Sequence, residues 1–154
     1  GNGKFADVEH NIKEMKKISS VSRIVGAFTV QANNILQIDK VIDYFLRDME
    51  IVFYSHRVNY PRALSAQVLP EKLKQAVVVK LEAMKDKVKD YPIIQKHPVL
   101  EKITLRQIQD NINFLQAKDL HQYWDDCVDF NRKLDETRKQ GPFEKINPEF
   151  ANYV

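Results

Sequence analysis

Between Arg23 and Pro70 the sequence RIVGAFTVQANNILQIDKVIDYFLRDMEIVFYSHRVNYPRALSAQVLP reads as strand, helix, strand and a polar, proline-punctuated exit. Residues 24–31 and 51–58 are β-branched and aromatic runs, apolar at both parities. That is the pattern of parallel strands covered by helices on each face, not of a half-solvated hairpin. About twenty residues separate the runs, enough for one helical crossover. The predicted class is therefore α/β: a helix-rich fragment of a (β/α) barrel, with a parallel β-α-β crossover unit followed by about three C-terminal helices.

A complete eight-stranded barrel takes on the order of 250 residues, whereas this chain has 154 and only two legible strands. The opening Gly1-Asn2-Gly3 carries no initiator Met, so either a tag was removed or the chain is an excised part of something longer, the second being the expectation that matters most. Residues 1–70 are expected to form the partial barrel (helix, strand, helix, strand) and residues 71–154 a helical C-terminal extension. Two parallel strands alone leave backbone groups unpaired at both edges. The expected partner is the remainder of the barrel or a second copy of the chain.

Composition narrows the class further. A hydrophobic share of 44% against 29% charged excludes a disordered chain. There is no run of eighteen apolar residues and no signal-peptide pattern, so a cytoplasmic setting without membrane contact is expected. The formal charge of +3 comes from interspersed signs. Only Lys72 to Lys102 is locally basic, which makes nucleic acid an unfavoured partner. Cys127 is the only cysteine; it can form no internal disulfide and cannot hold an iron–sulfur cluster alone.

Periodicity places the helices. Val8, Ile12, Met15 and Ile18 mark one face of a helix over residues 7–18, ended by Ser19 and Ser20. Asp39 is the expected N-cap of the crossover helix, with Val41, Ile42, Phe45 and Leu46 as its buried stripe and Arg47-Asp48 at its close. Asn59-Tyr60-Pro61 must leave the sheet. Pro70 suits the first turn of a long helix whose stripe is Leu73, Val77, Leu81, Met84 and Val88. Pro92 and Pro98 bracket an expected loop. Thr104 with Gln107 forms a capping-box pattern, with Ile103 and Ile108 as staple and Leu105, Ile108, Ile112 and Leu115 as the stripe that follows. Asp119 with Gln122 opens the next helix, lined by Leu120, Trp124, Cys127 and Leu134, and Gly141-Pro142 stops it.

In open sheets and barrels the working residues sit at the carboxyl ends of the strands. Those ends hold Thr29, Gln31, Asn33 and Asn34 on the first strand, and Tyr54, Ser55, His56, Arg57 and Asn59 on the second. His56, closing a buried strand two residues after Tyr54, is the best single candidate for proton transfer or binding. Arg57 has the fork geometry to hold a carboxylate or phosphate. His121, Asp125, Asp126 and Asp129 share a helix but lack a second histidine, so no metal site is expected there. Cys127 falls on an apolar stripe and reads as a core residue. There is no Gly-rich phosphate loop, nucleophile elbow or zinc spacing.

The segments VGAFTVQANNI, DKVIDYF, EIVFYSHRVNYPRALSAQVLPEKLK and FNRKLDETRKQGPFEKINPEF resemble the C-terminal portion of radical S-adenosylmethionine (radical SAM) enzymes. The type is the one found in phages and marine bacteria and labelled twitch-domain. The pattern Leu134-Asp135, Arg138, Phe143 and Pro148-Glu149 is the most specific part, and the resemblance covers roughly residues 4–150. It implies a full or incomplete (β/α) barrel whose parent enzyme holds a 4Fe–4S cluster on Cys-x3-Cys-x2-Cys and cleaves S-adenosylmethionine. This chain has no such motif, so it would be the cluster-free, substrate-side part, inactive alone. By that resemblance Gln31, Asn33, His56 and Asn59 would face S-adenosylmethionine or substrate, and no catalytic residue or metal ligand carries over. The alternative is a stand-alone helical interaction module that self-associates through uncovered strand edges and the Trp124 region.

Overall fold

The computed structural model describes residues 4–18, 24–139 and 141–153. Strands β1 (Val25–Val30) and β2 (Val52–Arg57) pair in parallel, in register from Val25 with Val52 to Val30 with Arg57. The crossover passes through a tight helical turn, Ile35–Gln37, into α2 (Ile38–Asp43), whose last turn widens over Tyr44–Asp48. Ile38, Ile42 and Leu46 are fully buried along this stretch, where each such side chain stabilises the fold by roughly 1.5–3 kcal/mol. The α/β class and the parallel pair are as the sequence predicts. Asp39 is not the N-cap. The turn at Ile35–Gln37 runs straight into the helix, so Gln37 takes that position, and Asp39 sits in the first turn, where its charge suits the helix dipole.

Helix α3 (Glu71–Lys87) buries Leu73, Val77, Leu81 and Met84, with Val88 just beyond. The spacing is as predicted. Pro70 lies one residue outside the first turn. Its backbone is extended, and its carbonyl accepts from the N–H of Leu73 at 2.9 Å and of Lys74 at 3.1 Å. The expected loop between the prolines is a short helix, α4 (Pro92–Lys96), because Pro92 occupies its first turn and Ile93 and Ile94 bury against the core. Helix α5 (Val99–Ala117) starts directly after Pro98, so the Thr104–Gln107 pair lies inside the helix and caps nothing. Thr104 is buried there, alongside the predicted Ile108, Ile112 and Leu115.

Helix α6 (Trp124–Arg138) follows a turn at His121–Tyr123 whose N-cap is Leu120; Asp119, one residue earlier, accepts from the His121 N–H at 3.1 Å without capping the helix itself. It ends at Lys139, whose φ of 53° is left-handed. A short α7 (Phe143–Ile146) and a turn at Pro148–Asn152 bring the C-terminus back across α6. The ring of Phe150 lies 5.6 Å from that of Trp124, and the indole N–H of Trp124 donates to the Tyr153 carbonyl at 2.9 Å. One hydrophobic core runs from Val30 through Phe53, Leu81 and Ile108 to Phe150. The helices after residue 70 therefore pack on the same core as the sheet.

Two expectations about burial are overturned. Helix α1 (Phe5–Lys16) buries none of its residues: Val8 is 51% and Met15 44% exposed, and Ile18 just beyond it is 51% exposed. It is held by a hydrogen bond from the Tyr44 hydroxyl to Glu9 at 2.8 Å, another from Lys16 to the Met49 carbonyl at 2.9 Å, and the Phe5–Tyr44 ring contact. Ser19 and Ser20 lie outside the described residues. The strands, secondly, are not covered on both faces. Gly26, Phe28, Val30, Phe53, Ser55 and Arg57 share the face packed by α2 and α5. On the other face Ala27, Thr29 and His56 are exposed, Val25 and Tyr54 are half-buried, and only Val52, at the start of β2, is buried.

Candidate functional site at the carboxyl ends of the strands

The crossover helix and α5 build the covered face of the strand pair. A Cβ on Gly26 would fall 2.4 Å from the Phe45 ring, so only glycine permits that helix to lie so close. Phe45 in turn stacks on Phe53 at 6.4 Å. Next along, Gln107 of α5 accepts from both the backbone N–H of Ser55 at 3.0 Å and its hydroxyl at 3.1 Å. Asn111 donates to the same hydroxyl at 2.8 Å. Last in line, the Arg57 guanidinium sits 6.0 Å over the Phe114 ring. One of its terminal nitrogens is buried with no hydrogen-bond partner among the described residues.

The face opposite the one that α2 and α5 pack carries Val25, Ala27 and Thr29 of β1 and Val52, Tyr54 and His56 of β2. His56 is exposed on that face, beside Thr29 in the register. Gln31 follows β1, and its N–H donates to the Asn34 side chain at 2.9 Å. Asn34 also donates to the Thr29 carbonyl at 2.8 Å, so it fixes the turn that ends the strand. Asn59 is exposed beyond β2, its amide 3.5 Å from the Arg57 carbonyl. Gln31, Asn33, His56 and Asn59 thus lie at one end of the sheet.

Asn33 differs from the other three. Its side-chain amide donates to Asn131 of α6 at 3.4 Å, and its carbonyl accepts from Asn147 at 3.0 Å. Gln37 donates to Asn147 at 3.4 Å, and Asn131 donates back to the Cys127 carbonyl at 2.8 Å. Asn131 and Asn147 are both almost wholly buried. This chain of amides fastens α6 and the C-terminal turn over the end of β1, so Asn33 positions the rim rather than reaching into solvent. The sequence reading missed Asn131, Asn147, Gln107 and Asn111. A polar residue one helical turn from Cys127, or between Ile108 and Leu115, is the signal that marks such anchors.

Electrostatics add little reactive chemistry. Burial pushes the Cys127 thiol up to about 12, with the Asn131 amide opposing only slightly, so the group is protonated and inert. Burial, then the hydrogen bond to Glu9, pushes Tyr44 up to about 12. Tyr91, which donates to Asp43, is raised further for the same two reasons in the same order. Asp125, Asp126 and Asp129 are exposed on α6. Among the described residues no three His, Cys, Asp or Glu side chains gather where a metal would sit, and no helix is long and apolar enough to cross a membrane. Compared with protein-family models, with curated proteins and with solved structures, the chain matches none.

Proposed function

We propose that this chain is the substrate-side part of a larger (β/α) barrel, and that the parent is a radical S-adenosylmethionine enzyme of the twitch-domain type its sequence resembles. The observation that carries this reading is the one-sided cover of the strand pair. Helices pack on Gly26, Phe28, Ser55 and Arg57, while the opposite face, buried at Val52, opens toward its carboxyl end at Ala27, Thr29 and His56, the kind of polar-ended surface that lines a barrel mouth.

In this reading Gln31, His56 and Asn59 meet S-adenosylmethionine or the substrate by hydrogen bonding, and Asn33 holds the rim. The 4Fe–4S cluster and the radical chemistry belong to the remainder of the parent.

The test is to read the frame upstream of Gly1, express the parent, reconstitute it with iron and sulfide, and assay 5′-deoxyadenosine formation. A Cys-x3-Cys-x2-Cys motif, reductive cleavage of S-adenosylmethionine, and loss of substrate turnover in His56→Ala are expected. A parent without the motif refutes the reading.

A further inference from the structure

Helix α1 and the later turns of the crossover helix enclose an apolar groove of about 590 Å³ along the outer edge of β1. Phe5, Val8 and Ile12 form one wall, Val41, Tyr44 and Phe45 the other, and Val25 to Ala27 the floor. We propose that this groove receives one extended, apolar β-strand that pairs with the free edge of β1 and continues the β1–β2 ladder beneath α1. The inference deepens the barrel reading and rests on it for the direction of the strand, parallel to β1.

The backbone of β1 specifies the occupant. The Val30 carbonyl accepts from the Val58 N–H across the ladder at 3.0 Å, so even-numbered residues of β1 turn their peptide groups toward β2. Odd-numbered residues turn theirs outward, as the Thr29 carbonyl does in accepting from Asn34. Val25 and Ala27 therefore direct their N–H and carbonyl groups into the groove. No strand pairs with them among the described residues, and Ala27 is exposed. A compact apolar ligand would fill the walls and leave these groups unsatisfied. An extended chain satisfies them and offers alternate side chains to the walls.

The same arrangement excludes a second copy. Helix α1 is anchored to Tyr44 and Met49 on the helix-covered side, overhanging the place of the next strand. A second copy pairing through its own β1 would bring its own overhanging α1 into that space. A strand without such a helix fits, and it supplies the surface that the exposed stripe of Phe5, Val8 and Met15 lacks.

The test is amide exchange by NMR on the 154-residue chain, alone and with a capped synthetic nonapeptide of alternating Val and Thr with a Lys at each end. Alone, the Val25 and Ala27 amides should exchange far faster than those of Tyr54 and His56, which face β1. With millimolar peptide their protection should rise at least about tenfold, and Val8→Asp should weaken the effect through the groove wall. Ala27→Pro removes an outward N–H that the β1–β2 ladder does not use, so it should melt like the parent chain and show no peptide-induced protection. Unchanged protection with peptide overturns the proposal. So does protection that depends on protein concentration without peptide, which would identify a second copy. Peptide capture by a chain whose parent lacks the cysteine motif would keep the docking edge and sink the radical-enzyme reading. A parent with the motif whose Val25 and Ala27 amides exchange as fast as in the isolated chain would do the reverse.

Discussion

Gln107 accepts a hydrogen bond from the backbone N–H of Ser55 at 3.0 Å, and in doing so a helix side chain takes the place of a third strand at the outer edge of β2. It accepts from the Ser55 hydroxyl as well. Replacing it by Leu keeps most of the volume but leaves a half-buried N–H and hydroxyl short of an acceptor, a loss of about 1–3 kcal/mol. Urea denaturation of Gln107→Leu should show that loss, and the Ser55 amide should exchange faster than in the native chain. Unchanged exchange at Ser55 would mean that the edge is closed by something else.

The close approach of the crossover helix to β1 depends on Gly26. Its Cβ position is 2.4 Å from the Phe45 ring, and Phe45 is backed by Phe53. Gly26→Ala should therefore cost about 1–3 kcal/mol. Phe45→Leu in the same chain should recover part of that cost, and a double-mutant cycle reads the coupling directly. Additive effects would place the clash elsewhere.

Asn147 is 2% exposed and ties the C-terminal turn to both Asn33 and Gln37. In Asn147→Ala the Asn33 carbonyl and the Gln37 amide lose that partner, at about 1–3 kcal/mol. The turn carrying Phe150 and Tyr153 should loosen from Trp124. The emission of Trp124, the only tryptophan, should shift to the red in the folded variant. A native emission maximum would show that the amide chain is dispensable for docking.

Cys127 gives a pH dependence with a definite sign. Its thiol is raised by burial from an ordinary value of 9.0 to about 12. Below pH 9 the thiol is protonated in both states and its contribution is complete. Between pH 9 and 12 the unfolded chain loses the proton first, so stability falls as pH rises, by at most about 1.4 kcal/mol per pH unit from this group. Tyr44 acts in the same direction at higher pH. The slope of stability against pH above 9 should be shallower in Cys127→Ala than in the native chain. Iodoacetamide should label Cys127 only as fast as the protein opens.

What the sequence revealed depended on whether the deciding contacts were local. The stripe from Leu73 to Val88 and the strand runs are set by periodicity, and all five stripe residues are buried where the spacing put them. The Thr104–Gln107 pair misled because Pro98 nucleates the helix earlier, which turns a capping pattern into a mid-helix anchor for Ser55. Apolar residues at both parities suggested cover on both faces. Periodicity reports that a surface avoids water and says nothing of which chain provides the cover. The amides joining Asn33 to Asn131 and Asn147 span separations of 98 and 114 residues; the place of Asn131 one turn from Cys127 marks it as an anchor, but no local pattern names its partner. The grouping of polar residues at the strand ends was legible because parallel strands put both carboxyl ends on one side of the sheet.

Helix α1 provides the sharpest contrast between apolar pattern and actual burial. Val8 lies on a stripe as regular as that of α3, yet it is 51% exposed, whereas Leu81 is 0% exposed in the middle of the core. Val8→Lys should change the stability of this chain by no more than about 0.5 kcal/mol, the range of surface substitutions. Leu81→Ala should cost about 2–5 kcal/mol, because the surrounding side chains close the cavity only in part. Parallel urea titrations of the two variants decide the matter. A loss from Val8→Lys comparable with that from Leu81→Ala would mean that the stripe of α1 is already buried in the isolated chain. The groove along β1 would then be closed before any strand arrives.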